Sequence, residues 1–200
     1  MGVIDETDAA WRLIAGLRRL NRLVAVAVGV VLLACAGLVL IDIGMRRLGA
    51  SLGGTDEISG YVMAVATAWG MAYALGELAH VRIDLLRTRV RGRPRALLDV
   101  AVMAVTAATV TFIAWRAWPV VERSLANGSR ANTPLETPLA LVQVPWMAGW
   151  VWFALCATAL TFAAGSLALR GYQAAAEAAI GTPQAEGVVD AAPETDRRHR

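Results

Sequence analysis

Charged residues are spread so unevenly along this chain that it divides into long apolar runs separated by short polar or basic joints. Leu23 to Ile41 and Ile58 to Gly76 are each nineteen residues without a charge, close to the roughly 20 that an α-helix needs to cross a hydrocarbon core. Val100 to Trp115 supplies only sixteen. Taking in 96–118, with Asp99 and Arg116 at the two interfaces where end charges can snorkel, restores a spanning length. Pro145 to Leu169 is a fourth run, so the pattern predicts spans at about 23–41, 58–76, 96–118 and 145–169.

The joints have their own patterns. From Asp8 to Arg22, Trp11, Leu13, Ile14, Leu17 and Leu20 alternate with Arg12, Arg18, Arg19 and Arg22, which predicts a short amphipathic helix on anionic headgroups over residues 1–22. Asp42 to Glu57 is a connector broken by Gly49, Gly53 and Gly54, and Thr55-Asp56-Glu57 reads as a helix start, a capping hydroxyl followed by two acids that complement the helix dipole. Residues 122–137 are polar and irregular, with Asn127-Gly128 as a turn and Pro134 and Pro138 as stops. After Arg170 a short alanine-rich helix gives way to Gly181–Arg200, which has little to bury, so 171–200 is expected to be a disordered tail. The fold class is an all-α integral membrane protein with four transmembrane helices spread over 23–170. The basic start, the first apolar run and Leu32-Leu33-Ala34-Cys35 together look like a lipoprotein processing site. Cleavage there would leave the apolar 36–41 at the new terminus, and the run exceeds the usual h-region of about 7–15 residues, so an uncleaved first helix is expected.

Composition agrees: 57% of residues are hydrophobic and the mean hydropathy is +0.52. The net charge of +3 comes from arginines beside the spans, without interleaved aromatics or a nucleic-acid motif, so the basic partner surface is lipid and not nucleic acid. Arg82, Arg87, Arg89, Arg91, Arg93 and Arg95 crowd the joint after span two. Counting arginines near membrane ends gives eleven on the side of the termini against five on the other, which predicts both termini in the cytoplasm. Trp115, Trp118, Trp146, Trp150, Trp152 and Phe153 then form a belt at the outer interface.

Reactive chemistry is sparse. No ionisable residue lies at mid-depth in any predicted span, where a working group of a pump or carrier is normally found. Thr67, Thr106, Thr109, Thr111, Thr158 and Thr161 can satisfy themselves on their own helix backbones. His80 and His199 are the only histidines and the chain has no lysine, which excludes a bis-histidine haem bundle within the spans, an H-E-x-x-H zinc site and a phosphate loop. Cys35 and Cys156 sit in apolar runs without metal-ligand spacing. The expectation is a protein that is not an enzyme and holds no cofactor or metal. What span two offers is surface: Gly60, Ala64, Ala68, Ala72 and Gly76 form a strip of small residues, with Gly70 on a neighbouring face, along which another helix of this chain or of a partner can come close. Ile58, Val62, Val65, Trp69 and Tyr73 make a bulkier face.

Arg46-Arg47 after span one, Asp56-Glu57 at the start of span two, and the sequence Gly70-Met-Ala-Tyr-Ala-Leu-Gly-Glu-Leu-Ala-His80-Val-Arg82-Ile-Asp84-Leu-Leu resemble the small membrane subunit of tripartite ATP-independent periplasmic transporters, the DctQ-like family. The likeness runs from about Leu23 to Leu169 and takes in Pro138 and Pro145-Trp146 before the last helix. Where that family usually has a tryptophan ahead of the paired acids, this chain has Gly53-Gly54-Thr55. The resemblance implies a bacterial inner-membrane complex in which a larger, many-span permease subunit carries the substrate and sodium sites and a periplasmic solute-binding protein delivers an organic acid. This chain would be its fixed brace. In that frame His80, Arg82 and Asp84 either tie the end of span two to the adjoining joint or stand as solvated charges beside lipid phosphate. A free-standing anchoring or assembly factor that holds a cytoplasmic partner through the arginine joint is the alternative from the residues alone. An enzyme acting on lipid headgroups is a further one, for which Glu77, Asp84 and Asp99 are too few acids.

Overall fold

The computed structural model describes residues 2–77, 93–172 and 180, with backbone alone for 2–10. Its four long helices are α1 (Gly2–Arg47), α2 (Thr55–Gly76), α3 (Arg93–Asn127) and α4 (Leu139–Leu169). Each contains a window long and apolar enough to cross a membrane. Among the described residues there is no strand beyond one isolated bridge between Arg130 and Pro138.

The helices run past the predicted spans, and the reasons are local. Between Gly2 and Arg47 nothing breaks the backbone, so the amphipathic segment expected over 8–22 is continuous with the first span in one helix roughly 69 Å long. That helix closes at Gly49, whose positive φ of 82° lets the N–H of Ala50 reach the carbonyl of Met45 at 3.0 Å. α3 passes through Pro119 and ends at Asn127, so residues 122–127, expected to be irregular, are helical. A proline already has a helical φ and costs one backbone bond, and the turn beyond it buries Val121 and Ser124. α4 likewise starts at Leu139, six residues ahead of the predicted Pro145, because Pro138 in extended conformation supplies the start and Pro145 is accommodated inside.

Two hairpins, α1–α2 and α3–α4, pack together mainly through α2 against α4, with a smaller α1–α4 contact. α4 is therefore the central helix. Its inward face is small, with Gly149, Ala157 and Ala164 all buried, so three neighbours can approach it closely. Met103, Val110, Phe153 and Leu160 fill the main core, into which Ile14 of the N-terminal part of α1 also inserts. Ile180, within the stretch expected to be a tail, is fully buried in the same cluster. Asp99, expected to snorkel at an interface, is instead 3% exposed, while Arg116 faces outward.

Candidate functional site

The strip of small residues on α2 splits into two halves. Ala68, Ala72 and Gly76 are buried, whereas Gly60 and Ala64 are exposed and Gly70 has nothing near the place a Cβ would occupy. The buried half is where α2 meets both α4 and α1. Ala68 sits against Gly149 of α4, where an added Cβ would lie 2.8 Å from the Ala68 Cβ and 2.9 Å from Cδ1 of Trp69. Trp69 donates its indole N–H to the carbonyl of Pro145 at 2.9 Å, one turn before Gly149.

One turn along, a buried polar node joins three helices. Asn21 of α1, 2% exposed, donates from Nδ2 to the carbonyl of Ala72 on α2 at 3.1 Å. Its Oδ1 accepts the indole N–H of Trp152 on α4 at 2.9 Å. The Cys156 sulfur lies 3.8 Å from both Asn21 polar atoms. Gly76 leaves room for the carboxamide, since a Cβ there would stand 3.6 Å from Nδ2. Interhelical hydrogen bonds of this kind contribute on the order of 0.6 kcal/mol each, but an unpaired buried amide costs roughly 1–3 kcal/mol. The node therefore penalises wrong arrangements more than it strengthens the right one. Trp152, expected in the outer belt, is turned inward by this bond, whereas Trp115 and Trp118 are exposed as a belt requires. Trp146 and Trp150 stack edge to face with centroids 6.3 Å apart.

The other end of α1 is closed by Asp42, which is 1% exposed. It accepts the backbone N–H of Leu52 at 2.8 Å, the Ser51 hydroxyl at 3.2 Å and Nε of Arg46 at 2.8 Å, with Arg46 Nη2 at 2.6 Å. The Leu52 N–H first, then Arg46 and Ser51, hold the Asp42 carboxyl below its ordinary 3.8 against the upward push of burial. Arg46 thus pairs chiefly with Asp42. Asp56 is 4.0 Å from Arg46 and its side chain is almost wholly exposed. Thr55 is already inside α2, whose cap is Gly54 in left-handed conformation, so the expected hydroxyl cap is replaced by a glycine turn.

Glu57, at the start of α2, faces the segment that joins α3 to α4. Tyr61 donates to its Oε1 at 2.7 Å, and Thr133, Tyr61 and Thr137 keep its carboxyl below the ordinary value. The segment 129–138 is closed on itself by backbone bonds and meets the start of α2 through Leu135. Leu139 N–H bonds Ser129 O at 2.9 Å, Ala131 N–H bonds Thr137 O at 2.9 Å, and Leu135 covers Gly54 so closely that any Cβ there would collide with it.

His80, Arg82, Asp84, Arg87, Arg89 and Arg91 lie outside the described residues. Arg93 is exposed at the start of α3 and Arg95 is half-buried. Thr67, Thr106, Thr109 and Thr161 each donate to the carbonyl four residues back, as threonines in a membrane helix are expected to do. Among the described residues, no three histidine, cysteine or acidic side chains group as metal ligands. Between the pinned ends of α1 an apolar groove of about 470 Å3 runs between Val24, Val28 and Val31 of α1 and Val62, Val65 and Trp69 of α2.

Asn21, Asp42 and Gly149 carry this packing and none stands out in the sequence. Asn21 and Asp42 flank the first apolar run and read there as ordinary end residues, and a glycine in a helix pattern signals a close approach only once its neighbour is known. The family model for tripartite ATP-independent periplasmic transporters, DctQ component, matches residues 35–168, from the middle of α1 to the last turn of α4. No curated protein and no solved structure matches the chain.

Proposed function

Because the chain belongs to the DctQ family of tripartite ATP-independent periplasmic transporter components, and is thus a small membrane subunit of such a transporter, we propose that it braces a larger, many-span permease subunit during sodium-coupled uptake of an organic acid. A periplasmic solute-binding protein would deliver that carboxylate. The observation that carries this reading is the family match across all four helices. The packing agrees with it in kind: a bundle joined by an Asn21 node, an Asp42 turn and the Ala68–Gly149 seam is suited to staying still while a neighbour moves. The arginine distribution supports a reading with both termini in the cytoplasm of a bacterial inner membrane and the Asp42 turn and the 129–138 segment on the periplasmic side.

Reconstitution tests this. The chain, a many-span permease encoded beside it and a secreted binding protein encoded with them are placed in vesicles with a sodium gradient. Uptake of a labelled carboxylate that needs all three is the expected result. Uptake or turnover by this chain alone would overturn the reading.

A further inference from the structure

Between its two ends α1 does not interlock with α2: Val24, Val28 and Val31, similar and interchangeable side chains, line an open apolar groove of about 470 Å3 opposite Val62 and Val65. Sliding α1 by one turn, about 5.4 Å, or rolling it by one residue, about 100°, would set another β-branched or small residue in nearly the same place. Packing alone leaves several arrangements of α1 close in energy. A polar group that is satisfied in only one of them removes that degeneracy, as a single buried asparagine fixes register in a coiled coil.

We infer that Asn21 is the register and rotation lock of α1, selecting one seating of the helix on α2 and α4 through its bonds to the Ala72 carbonyl and the Trp152 indole. The geometry is demanding. The two faces of one carboxamide are used on two different helices, so a slide or a roll breaks both bonds together. The Ala72 carbonyl has the Gly76 N–H within the α2 ladder, so the group stranded by a shift is the Asn21 amide itself, together with the Trp152 indole N–H that it accepts. The node also sits 21 residues before Asp42, a rise of about 32 Å that matches the hydrocarbon thickness. α1 is thus fixed at one boundary by Asn21 and at the other by Asp42, and between them it lines the apolar groove. This inference concerns the chain's own fold and stands whether or not the large-subunit reading does.

Oxygen accessibility of spin labels tests it in the full chain reconstituted in phospholipid vesicles, labelled at one cysteine at a time, either native Cys35 or Leu33→Cys with Cys35→Ala, the fully buried Cys156 being left in place beside Asn21. Leu33 is 75% exposed and Cys35 8% exposed, so the reference protein shows high accessibility at the first and low at the second. Asn21→Leu keeps the volume and removes both bonds. The expected result is loss of the contrast between the two labels while helix content is retained. Contrast that survives in a folded Asn21→Leu protein overturns the inference, even with a lowered melting temperature, because that is what a purely stabilising contact would give. Should Asn21→Leu fail to fold, Trp152→Phe decides: a reduced contrast supports the lock and an unchanged one overturns it.

Discussion

Gly149 of α4 faces Ala68 of α2 with no room for a methyl group between them, the added Cβ standing 2.8 Å from the Ala68 Cβ and 3.0 Å from its backbone carbon. Backbone cannot turn aside as a flexible side chain can, so Gly149→Ala must push α2 and α4 apart along the seam that joins the two hairpins. Overpacking of this kind costs about 1–3 kcal/mol. A lower thermal midpoint for the purified chain in detergent is expected, with Gly70→Ala as control, since nothing lies within 4 Å of that position.

The same seam decides which half of the α2 strip can report on a partner. Ala68→Leu would disturb the chain's own bundle, so poorer recovery of a complex after that change says little about a subunit interface. Ala64 is exposed. If the large subunit seats on the free half of the strip, Ala64→Leu leaves the melt of the isolated chain unchanged and lowers the yield of complex after detergent extraction. An undiminished yield places the large subunit elsewhere.

Gly54 is held by two separate requirements, a φ of 71° and the Leu135 side chain lying over it. Left-handed backbone costs a residue with a Cβ about 1–2 kcal/mol, and the collision with Leu135 adds to it. Gly54→Ala should therefore lower the thermal midpoint, and Leu135→Ala in the same chain should restore part of the loss. Full restoration would mean that the backbone conformation contributes nothing.

The number and order of helices were legible because hydropathy and the charge-free lengths follow directly from the cost of burying charge in lipid. Their ends were not: the pattern ends the third span at Trp118 and begins the fourth at Pro145, yet Pro119 and Pro145 both lie inside helices, the turns after them burying Val121, Ser124 and Met147. The small strip on α2 was visible as a close-approach face, but which half is used depends on Gly149, a residue 81 positions from Ala68 that no periodicity links to it. Asn21 and Asp42 were hidden for the opposite reason. Each ends an apolar run, where a polar residue needs no explanation, and only the positions of Trp152 and Leu52 show that both are fully engaged.

Asp42 gives a prediction whose sign can be fixed. Its carboxyl lies outside the apolar run of 23–41 and is held below the ordinary 3.8 by the Leu52 N–H, Arg46 and Ser51. A folded-state value below the unfolded one means that the carboxylate's contribution is fully present above about pH 4 and is lost as pH falls through the depressed value. Hydrogen exchange over residues 48–54, corrected for the intrinsic rate, should accordingly show the same protection at pH 7 and pH 5 and lose it only below the usual carboxylate range. Asp42→Asn removes the charge that pairs with Arg46 and replaces one accepting oxygen by a donor, so protection there should already be reduced at neutral pH and should show no acid step. A variant with native protection at pH 7 would mean that the Gly49 turn closes this end of α1 without Asp42.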